Sequence, residues 1–247
     1  MSPRDDASRR CGASVAGMPN PSLDSQRIAV LGAGTMGRAV AGFFARGRFS
    51  VVLGSRTATA VADTSGGVIE VRSYRDAVAS ADIVFLTTLW EHTEAALRSA
   101  GPFDGRILID CSNPEGTDGR SLAVGLTTSG AEHVATWAPD ARVVKAFNHV
   151  YAEVLSSREA LARGVTVFVC GDDGNARLRV CELLQRVGLE PIDAGSLTTA
   201  RYLEPLAMLM VELVRGQGFG AAELVLRADR IGRGSPPVVI DQLDDNR

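Results

Sequence analysis

Arg27-Ile-Ala-Val-Leu-Gly-Ala-Gly-Thr-Met-Gly-Arg38 is the stretch of the sequence that decides the fold. Its first half contains an unbroken apolar run, Ile28 to Leu31, of the kind that a fully buried parallel strand needs. A turn with the spacing Gly-x-Gly-x-x-Gly follows, and a helical pattern begins after it and ends at Gly47. A strand, a glycine-rich turn and a helix in this order predict a phosphate-binding βα unit.

Each glycine of this turn has a physical reason to lack a side chain. Gly32 permits the tight turn, Gly34 lets backbone N–H groups approach a pyrophosphate, and Gly37 lets the helix pack closely on the strand. The unpaired N–H groups and the positive dipole end of the helix that begins near Thr35 would hold the anion. A turn with a purely structural role is the alternative interpretation, because glycine-rich turns are common in loops.

The second apolar run, Phe49 to Leu53, leads to the residues that select the dinucleotide. Folds that prefer NAD usually place Asp or Glu here to bind the ribose 2′-hydroxyl, and that carboxylate would repel a 2′-phosphate. This sequence instead has Ser55 and Arg56, which suit the phosphate and predict NADP(H) as the cofactor. In the alternative interpretation, Arg56 is a solvated residue that opens a short alanine-rich helix from Thr57 to Asp63.

The rest of the chain predicts an α/β fold of the Rossmann type, with a doubly wound, mainly parallel sheet. Further strands are expected at Val68 to Val71, Asp82 to Thr88, Arg106 to Cys111, Arg142 to Phe147, Thr166 to Cys170 and Glu190 to Asp193. Helices are expected between them, at Tyr74 to Ala79, Glu91 to Ser99, Ser129 to Trp137 and Ala176 to Val187. The predicted segments are a disordered tail at 1–25, an NADP-binding domain at 26–145, a small C-terminal α/β domain closing the cleft at 146–226, and a flexible tail at 227–247.

Composition narrows the possible partners. The net charge of −3, with Lys and Arg dispersed along the chain, offers no basic field for nucleic acid or anionic lipid. No run approaches the roughly 20 apolar residues of a membrane span. Residues 1–25 lack the apolar core of a signal peptide, and Met18 is an alternative start. We therefore expect a cytoplasmic protein whose partner is a small molecule.

The four cysteines, Cys11, Cys111, Cys170 and Cys181, have neither Cys-x-x-Cys nor metal-type spacing. We predict reduced thiols, most of them buried, and no metal site. Cys111 ends a predicted strand near the expected site, so a reactive thiol is the alternative to simple packing at that position.

Polar residues follow several predicted strands, at the edge where open parallel sheets bind ligands. Thr87 and Thr88 end one strand, and Asn113 follows the next, where its amide could bond to a carboxamide or ribose or simply form a turn. Trp90 could cover the nicotinamide ribose or pack in the core. The segment Asn148-His149-Val150-Tyr151 follows a later strand and is the best candidate for the second side of the cleft.

Hydride transfer between two bound aromatic rings needs positioning rather than a side-chain base. A carbonyl substrate would need a proton donor, and His149, Tyr151 or Lys145 would have to serve. Lys145 interrupts apolar positions, so it could be an edge-strand charge or could face a carboxylate or phosphate of the second substrate. His92 stands at the start of a predicted helix, where a neutral histidine is common.

The last predicted helix, Ala200 to Gly216, is apolar nearly all the way round. Such a helix is either enclosed within the subunit or packed on a second copy. The adaptable methionines in its sequence favour a homodimer interface.

Several short blocks, in order and over about residues 27–220, resemble one family. They are Gly32-Ala-Gly-Thr-Met-Gly37, Gly54-Ser-Arg56, Leu89-Trp-Glu-His92, Val143-Val-Lys-Ala-Phe-Asn148, Cys170-Gly-Asp-Asp173 and Asp193-Ala-Gly-Ser-Leu-Thr-Thr-Ala-Arg-Tyr-Leu-Glu-Pro-Leu206. Together they resemble the NADPH:coenzyme F420 oxidoreductases. The chain is also similar to the cytosolic reductase domain of the STEAP metalloreductases, which moves hydride from NADPH to a flavin.

The resemblance implies a dinucleotide domain and a small C-terminal part that forms the deazaflavin side of the cleft. The residues that it implies for NADP are Thr35, Met36, Ser55 and Arg56. The residues that it places near the deazaflavin are Asn148, His149, Val150 and the stretch from Leu206 to Met210. Tyr151 stands where some relatives have a small residue or proline.

The activity that the resemblance implies is hydride transfer between NADP(H) and the deazaflavin coenzyme F420. Two alternatives stay open within the enzymes: a reductase of FMN or FAD, and a reductase of a small imine or carbonyl. A non-catalytic redox sensor that binds NADP is a third, from another functional class.

Overall fold

The computed structural model describes residues 26–57, 61–218 and 222–226. The tails expected at 1–25 and 227–247, which include Cys11 and Met18, lie outside the described residues. The strands within these ranges are β1 (Arg27–Leu31), β2 (Ser50–Gly54), β3 (Val61–Thr64), β4 (Gly67–Arg72), β5 (Ile83–Leu86), β6 (Ile107–Asp110), β7 (Arg142–Lys145), β8 (Thr166–Gly171) and β9 (Glu190–Gly195). The helices are α1 (Thr35–Arg46), α2 (Tyr74–Ala79), α3 (Trp90–Ala100), α4 (Gly130–Trp137), α5 (Ala152–Ser156), α6 (Arg158–Arg163), α7 (Gly174–Arg186) and α8 (Ala200–Val211), and a π-helical turn, Glu212–Gly216, continues α8.

These strands form one sheet in the order β3-β4-β2-β1-β5-β6-β7-β8-β9. Six neighbouring strands in this order, β4, β2, β1, β5, β6 and β7, are mutually parallel, so their carboxyl ends meet at a single edge. The chain moves outward from β1 to β2 and then returns to the other side of β1 with β5, which makes the β1/β5 boundary the switch point where such sheets bind ligands. The predicted α/β fold with a mainly parallel sheet is confirmed.

The first βα unit forms because its apolar residues recur with the helical period on the face that meets the sheet. Val40 and Phe44 of α1 are completely buried, and Phe43 is nearly so. The Phe44 ring lies 4.9 Å from the Phe85 ring of β5, measured between centroids. Burial of each such side chain contributes about 1.5–3 kcal/mol, which fixes α1 on the sheet and aims its first turn at the carboxyl edge.

The helix predicted from Thr57 to Asp63 is wrong where the structure describes it. Val61 to Thr64 form β3, which pairs antiparallel with β4, and residues 58–60 lie outside the described residues. The hairpin packs directly on α1, since a Cβ at Gly66 would lie 2.4 Å from the Gly42 carbonyl oxygen. Alanine favours helix only weakly, and the backbone bonds offered by the edge of β4 outweigh that preference.

The strands predicted beyond Phe147 are confirmed, and they lengthen the same sheet. β8 pairs antiparallel with β7, and β9 pairs parallel with β8. Their carboxyl ends therefore point to the edge opposite the one that β1, β2 and β4 to β7 share. The division into two domains after residue 145 stays a prediction.

Candidate functional site

The glycine-rich turn after β1 is packed too tightly for side chains at two of its three glycines. The N–H of Gly32 donates to the Gly54 carbonyl at 3.0 Å, and its φ of +116° lies in the region that favours glycine. A Cβ at Gly37 would lie 1.7 Å from the Gly32 carbonyl oxygen. Protein packing alone therefore accounts for Gly32 and Gly37.

Gly34 is different, because a Cβ added there would meet no atom within 4 Å. Gly34 is the N-cap of α1, no side chain caps the helix, and its first turn contains no acidic residue. Both Gly34 and Thr35 are exposed. The first N–H groups of α1 thus face open space with their positive dipole end uncompensated, which fits a pyrophosphate.

The two residues that follow β2 lie at the same edge. The N–H of Ser55 donates to the Arg72 carbonyl at 2.9 Å, and its hydroxyl accepts from the Thr57 N–H at 3.2 Å. Arg56 is exposed, and no ion pair to it occurs among the described residues. Its guanidinium is available to a phosphate.

The hydroxyls of Thr87 and Thr88, which follow β5, form hydrogen bonds within the protein. The Thr87 hydroxyl donates to the Leu31 carbonyl at 2.9 Å and so fixes the start of the glycine turn. The Thr88 hydroxyl lies 3.0 Å from that of Thr93 in α3. Any contact that these two threonines make with a cofactor is added to a structural role.

Trp90, the first residue of α3, packs against α4. Its ring centroid lies 5.2 Å from that of Trp137 and 6.1 Å from that of His133. The packing role is therefore observed, and coverage of the nicotinamide ribose stays a prediction. His92 lies two residues further along α3, with Nε2 3.7 Å from the Glu91 carboxylate.

Asn113 and Asn148 form a clamp between the ends of β6 and β7. The Asn113 amide donates to the Asn148 carbonyl at 2.7 Å. The Asn148 amide donates to Asn113 Oδ1 at 3.0 Å and to the Leu203 carbonyl of α8 at 2.8 Å. Phe147 has a φ of +65°, rare outside glycine, and this turn brings Asn148 back to Asn113.

His149 is buried and bonded to the backbone. Its Nε2 lies 3.0 Å from the Thr166 carbonyl oxygen, and its ring packs on Phe168 with centroids 5.3 Å apart. Burial lowers the pKa of His149, although the bond to Thr166 opposes that effect. Val150 is buried beside it. A neutral His149 whose Nε2–H is already donated has no proton to give to a substrate.

The interpretation of Lys145 as an edge-strand charge is wrong, because β7 lies between β6 and β8 in the interior of the sheet. The Lys145 side chain is fully buried, and its ammonium lies 2.8 Å from each of three oxygens: Asp110 Oδ2, Glu204 Oε1 and the Ser112 carbonyl. Burial alone would lower the pKa of Lys145, but attraction to the two carboxylates outweighs burial and raises it. All three ammonium protons are committed within the protein.

Asp110 and Glu204 are the site residues that sequence reasoning missed. The Glu204 carboxylate also accepts from the N–H groups of Gly130 and Ala131, at the start of α4, at 2.9 and 3.1 Å. A signal was present in the sequence: Glu204 occupies a position of an otherwise apolar helix that periodicity turns inward, and Lys145 interrupts an apolar strand. The two opposite charges were not recognised as partners.

Tyr151 precedes α5 and carries the third candidate group. Its hydroxyl oxygen is shielded from solvent and has no hydrogen-bond partner in the described part of the chain. Burial raises the pKa of Tyr151, the Arg215 charge opposes this, and the Glu115 and Glu153 charges add to it. The loop after β6, which carries Glu115, is tied to the turn after α8, because Arg215 donates to the Gly119 carbonyl at 3.2 Å.

Leu206 and Met210 lie in the turns of α8 that follow Leu203. Met210 is 6% exposed, whereas Leu209 between them is 56% exposed. The alternative in which this helix is enclosed on all sides by its own subunit is therefore wrong.

Cys111, after β6, is also buried, and burial raises its pKa well above the ordinary value, which supports packing over reactivity.

Similarity to known proteins identifies the family of a chain with this glycine turn and this uncapped helix. A family model described as NADP oxidoreductase, coenzyme F420-dependent, matches residues 27–114. A crystal structure of a protein proposed to be an F420-dependent NADP-reductase, from Arthrobacter sp. FB24, has 30% sequence identity and a TM-score of 0.72, covering 82% of this chain and 100% of that one. The chain belongs to the F420-dependent NADP oxidoreductase family.

Other members and relatives of this oxidoreductase family are also similar. The F420-dependent NADP reductase of Methanothermobacter thermautotrophicus is 28% identical over 76% of this chain and 88% of its own length. Metalloreductase STEAP3 of Rattus norvegicus is 31% identical over 83% of this chain and 41% of its own length. The chain thus spans about two fifths of the metalloreductases that it matches.

The described ranges contain neither a helix that could span a membrane nor a metal-binding cluster of side chains. Among those residues, this family member has no helix both long and apolar enough to cross a membrane. Within the same ranges, no group of three or more His, Cys, Asp or Glu residues is arranged to hold a metal ion.

Proposed function

We propose that the chain binds NADP(H) along the carboxyl edge of β1, β2 and β5. The pyrophosphate would lie on the first N–H groups of α1, and Ser55 and Arg56 would hold the 2′-phosphate. The observation that carries this proposal is Gly34, whose missing side chain leaves open space before an uncapped helix. In a turn that served packing alone, that position would not need glycine.

We propose further that the acceptor is a deazaflavin, bound between Asn148–Tyr151 and the turns of α8 that contain Leu206 and Met210. Family membership supports this choice, because the family model and the reductases of Methanothermobacter name coenzyme F420. The nicotinamide and the deazaflavin would supply the redox chemistry between them. The protein's own task is to position the two rings and to exclude water.

The polar side chains near the proposed acceptor site are hydrogen-bonded within the protein, which agrees with a mechanism in which the protein positions the two rings and donates no proton. The Lys145 ammonium is held by Asp110, Glu204 and the Ser112 carbonyl, and His149 Nε2 is held by the Thr166 carbonyl. Neither group can exchange a proton with a substrate without breaking buried contacts. A hydride transfer that needs no side-chain base suits this site.

The test mixes the purified full-length protein with NADPH and, separately, with coenzyme F420, FMN, FAD and a ferric chelate, while absorbance of the nucleotide is followed. We expect NADPH oxidation with coenzyme F420 and little with the others. NADPH binding without turnover on any acceptor would favour a redox sensor. Calorimetry that detects no NADP at saturating concentration would overturn the proposal as a whole.

Transfer to a flavin is the second candidate, and the match to metalloreductase STEAP3 over 83% of the chain favours it. In that case FMN or FAD would replace coenzyme F420 in the same experiment. The ferric chelate would be reduced only when the flavin is also present, because electrons would reach the iron through the flavin.

We also propose a homodimer that uses the exposed side of α8 around Leu209. A leucine side chain that is 56% exposed beside other apolar residues of one helix favours contact with a second copy. Light scattering should give the mass of a dimer, and Leu209→Glu should give that of a monomer. A monomeric wild-type protein would contradict this.

A further inference from the structure

The Tyr151 hydroxyl is a buried polar group that residues 26–57, 61–218 and 222–226 leave without a hydrogen bond. The oxygen is shielded from solvent, and no hydrogen-bond partner for it lies in the described part of the chain. Burial of a hydroxyl without a partner costs free energy, so native proteins rarely retain one unless a ligand or water completes it. This hydroxyl needs a partner that the described residues do not supply.

The position of Tyr151 indicates where that partner would come from. Tyr151 lies between the end of β7 and the start of α5, next to the buried Val150. The charges that act on its hydroxyl come from Arg215, after α8, and Glu115, after β6, together with its neighbour Glu153. Tyr151 thus follows the carboxyl end of β7, at the edge of the sheet where the acceptor is proposed to bind.

Other polar groups near this edge are already engaged. The Asn148 amide bonds to Asn113 and Leu203, His149 Nε2 bonds to Thr166, and the Lys145 ammonium is held by two carboxylates and a carbonyl. Of the three side chains considered as proton donors, only Tyr151 keeps its donor unused. Its O–H is the group that a ligand could recruit without breaking a protein contact.

We propose that the Tyr151 hydroxyl donates a hydrogen bond to a carbonyl oxygen of the deazaflavin ring and so strengthens binding of this acceptor. The inference rests on the proposed function, and it concerns recognition of the acceptor rather than of NADP(H). A residue with an aliphatic side chain at position 151 could pack against the ring but could not make this bond.

The test compares the wild-type protein with Tyr151→Phe and with a matched control, Tyr202→Phe, in which the altered ring is 77% exposed on α8. Fluorescence titration measures the affinity for coenzyme F420 without NADPH, and a second titration measures the affinity for NADPH. The melting temperature of each ligand-free protein is recorded as well. None of these readouts depends on turnover.

We expect Tyr151→Phe to weaken coenzyme F420 binding by about tenfold, because the ring carbonyl loses its donor. NADPH affinity should stay within about twofold, which is below 1 kcal/mol. The melting temperature should be unchanged or higher, since no protein contact is lost. Tyr202→Phe should leave all three measurements unchanged.

Four results would overturn the inference. Coenzyme F420 affinity of Tyr151→Phe equal to that of wild type would remove the proposed bond. An equal loss of NADPH affinity would indicate a general distortion of the cleft, and a lower melting temperature would reveal a structural partner of the hydroxyl. If the wild-type protein itself does not bind coenzyme F420, the proposed acceptor is wrong, and the inference is wrong with it. The titration of the wild-type protein alone distinguishes this result from the other three.

Discussion

The ammonium nitrogen of Lys145 lies 2.8 Å from Glu204 Oε1, and both side chains are excluded from solvent. The same ammonium is 2.8 Å from Asp110, and Glu204 accepts two N–H groups at the start of α4. The cluster therefore joins β6, β7, α4 and α8. The positive dipole end of α4 helps to balance the second carboxylate.

Lys145→Met should destabilise the protein strongly, because it leaves two buried carboxylates without a cation. Breaking a buried ion pair in this way costs about 3–5 kcal/mol. Thermal unfolding should then shift down by roughly 6–20 °C, at about 2–4 °C for each kcal/mol. As a control, Arg98→Ala removes an exposed pair with Glu94 on α3 and should change the melting temperature little. Equal shifts in the two variants would contradict the assignment.

Gly34→Ala and Gly37→Ala should separate ligand binding from packing. Gly37→Ala places a methyl group 1.7 Å from the Gly32 carbonyl oxygen and should lower the melting temperature or prevent folding. Gly34→Ala meets no protein atom and should keep the melting temperature, while NADPH affinity falls at least about tenfold. Unaltered NADPH affinity in Gly34→Ala would remove the pyrophosphate from this turn.

Arg56→Ala should weaken NADPH binding by about ten- to a hundredfold, since a charge-assisted bond to the 2′-phosphate is worth about 1.5–3 kcal/mol. The Michaelis constant for NADH should change little, because NADH lacks that phosphate. The measurement is the ratio of the two Michaelis constants, with Arg98→Ala, at the far end of α3, as the control. Equal increases in the Michaelis constants for NADPH and NADH would mean that Arg56 does not bind the 2′-phosphate.

His149 should make stability depend on pH on the acid side of neutrality. Burial lowers the pKa of His149 below its ordinary value of 6.5, so between the two values the unfolded chain binds a proton that the folded chain does not. The free energy of unfolding should therefore be fully retained above 6.5 and decrease as the pH falls below it. Denaturant unfolding at several pH values measures this dependence. In His149→Gln, the free energy of unfolding should decrease less steeply as the pH falls below 6.5 than in the wild-type protein.

The three buried cysteines should be unreactive in the native protein. Burial raises the pKa of Cys170 to about 12 and that of Cys111 well above its ordinary value, so neither forms appreciable thiolate at neutral pH. In a Cys11→Ser variant, Ellman's reagent should find no fast thiol until denaturant is added. A thiol that reacts quickly in the folded variant would restore Cys111 as a candidate reactive group.

Local patterns predicted the strands and helices well, because each depends on residues that are close in sequence. The run before Gly32 and the period of Val40, Phe43 and Phe44 fix β1 and α1 without reference to the rest of the chain. The one clear failure is also local in kind. The alanine-rich stretch before Asp63 has helical propensity, but the free edge of β4 offers it backbone bonds that propensity cannot anticipate.

The sequence by itself determined the first βα unit, since the apolar run, the glycine spacing and the helical period act through residues that are close together in the chain. Only the tertiary structure decided what the polar residues of the later strands do. The partners of Asn148 stand 35 and 55 residues away along the chain, and those of Lys145 come from another strand and another helix. Hydrogen bonds and ion pairs of this kind form only after the sheet has brought distant segments together. Tyr151 differs from them because no described residue provides its hydroxyl with a hydrogen-bond partner.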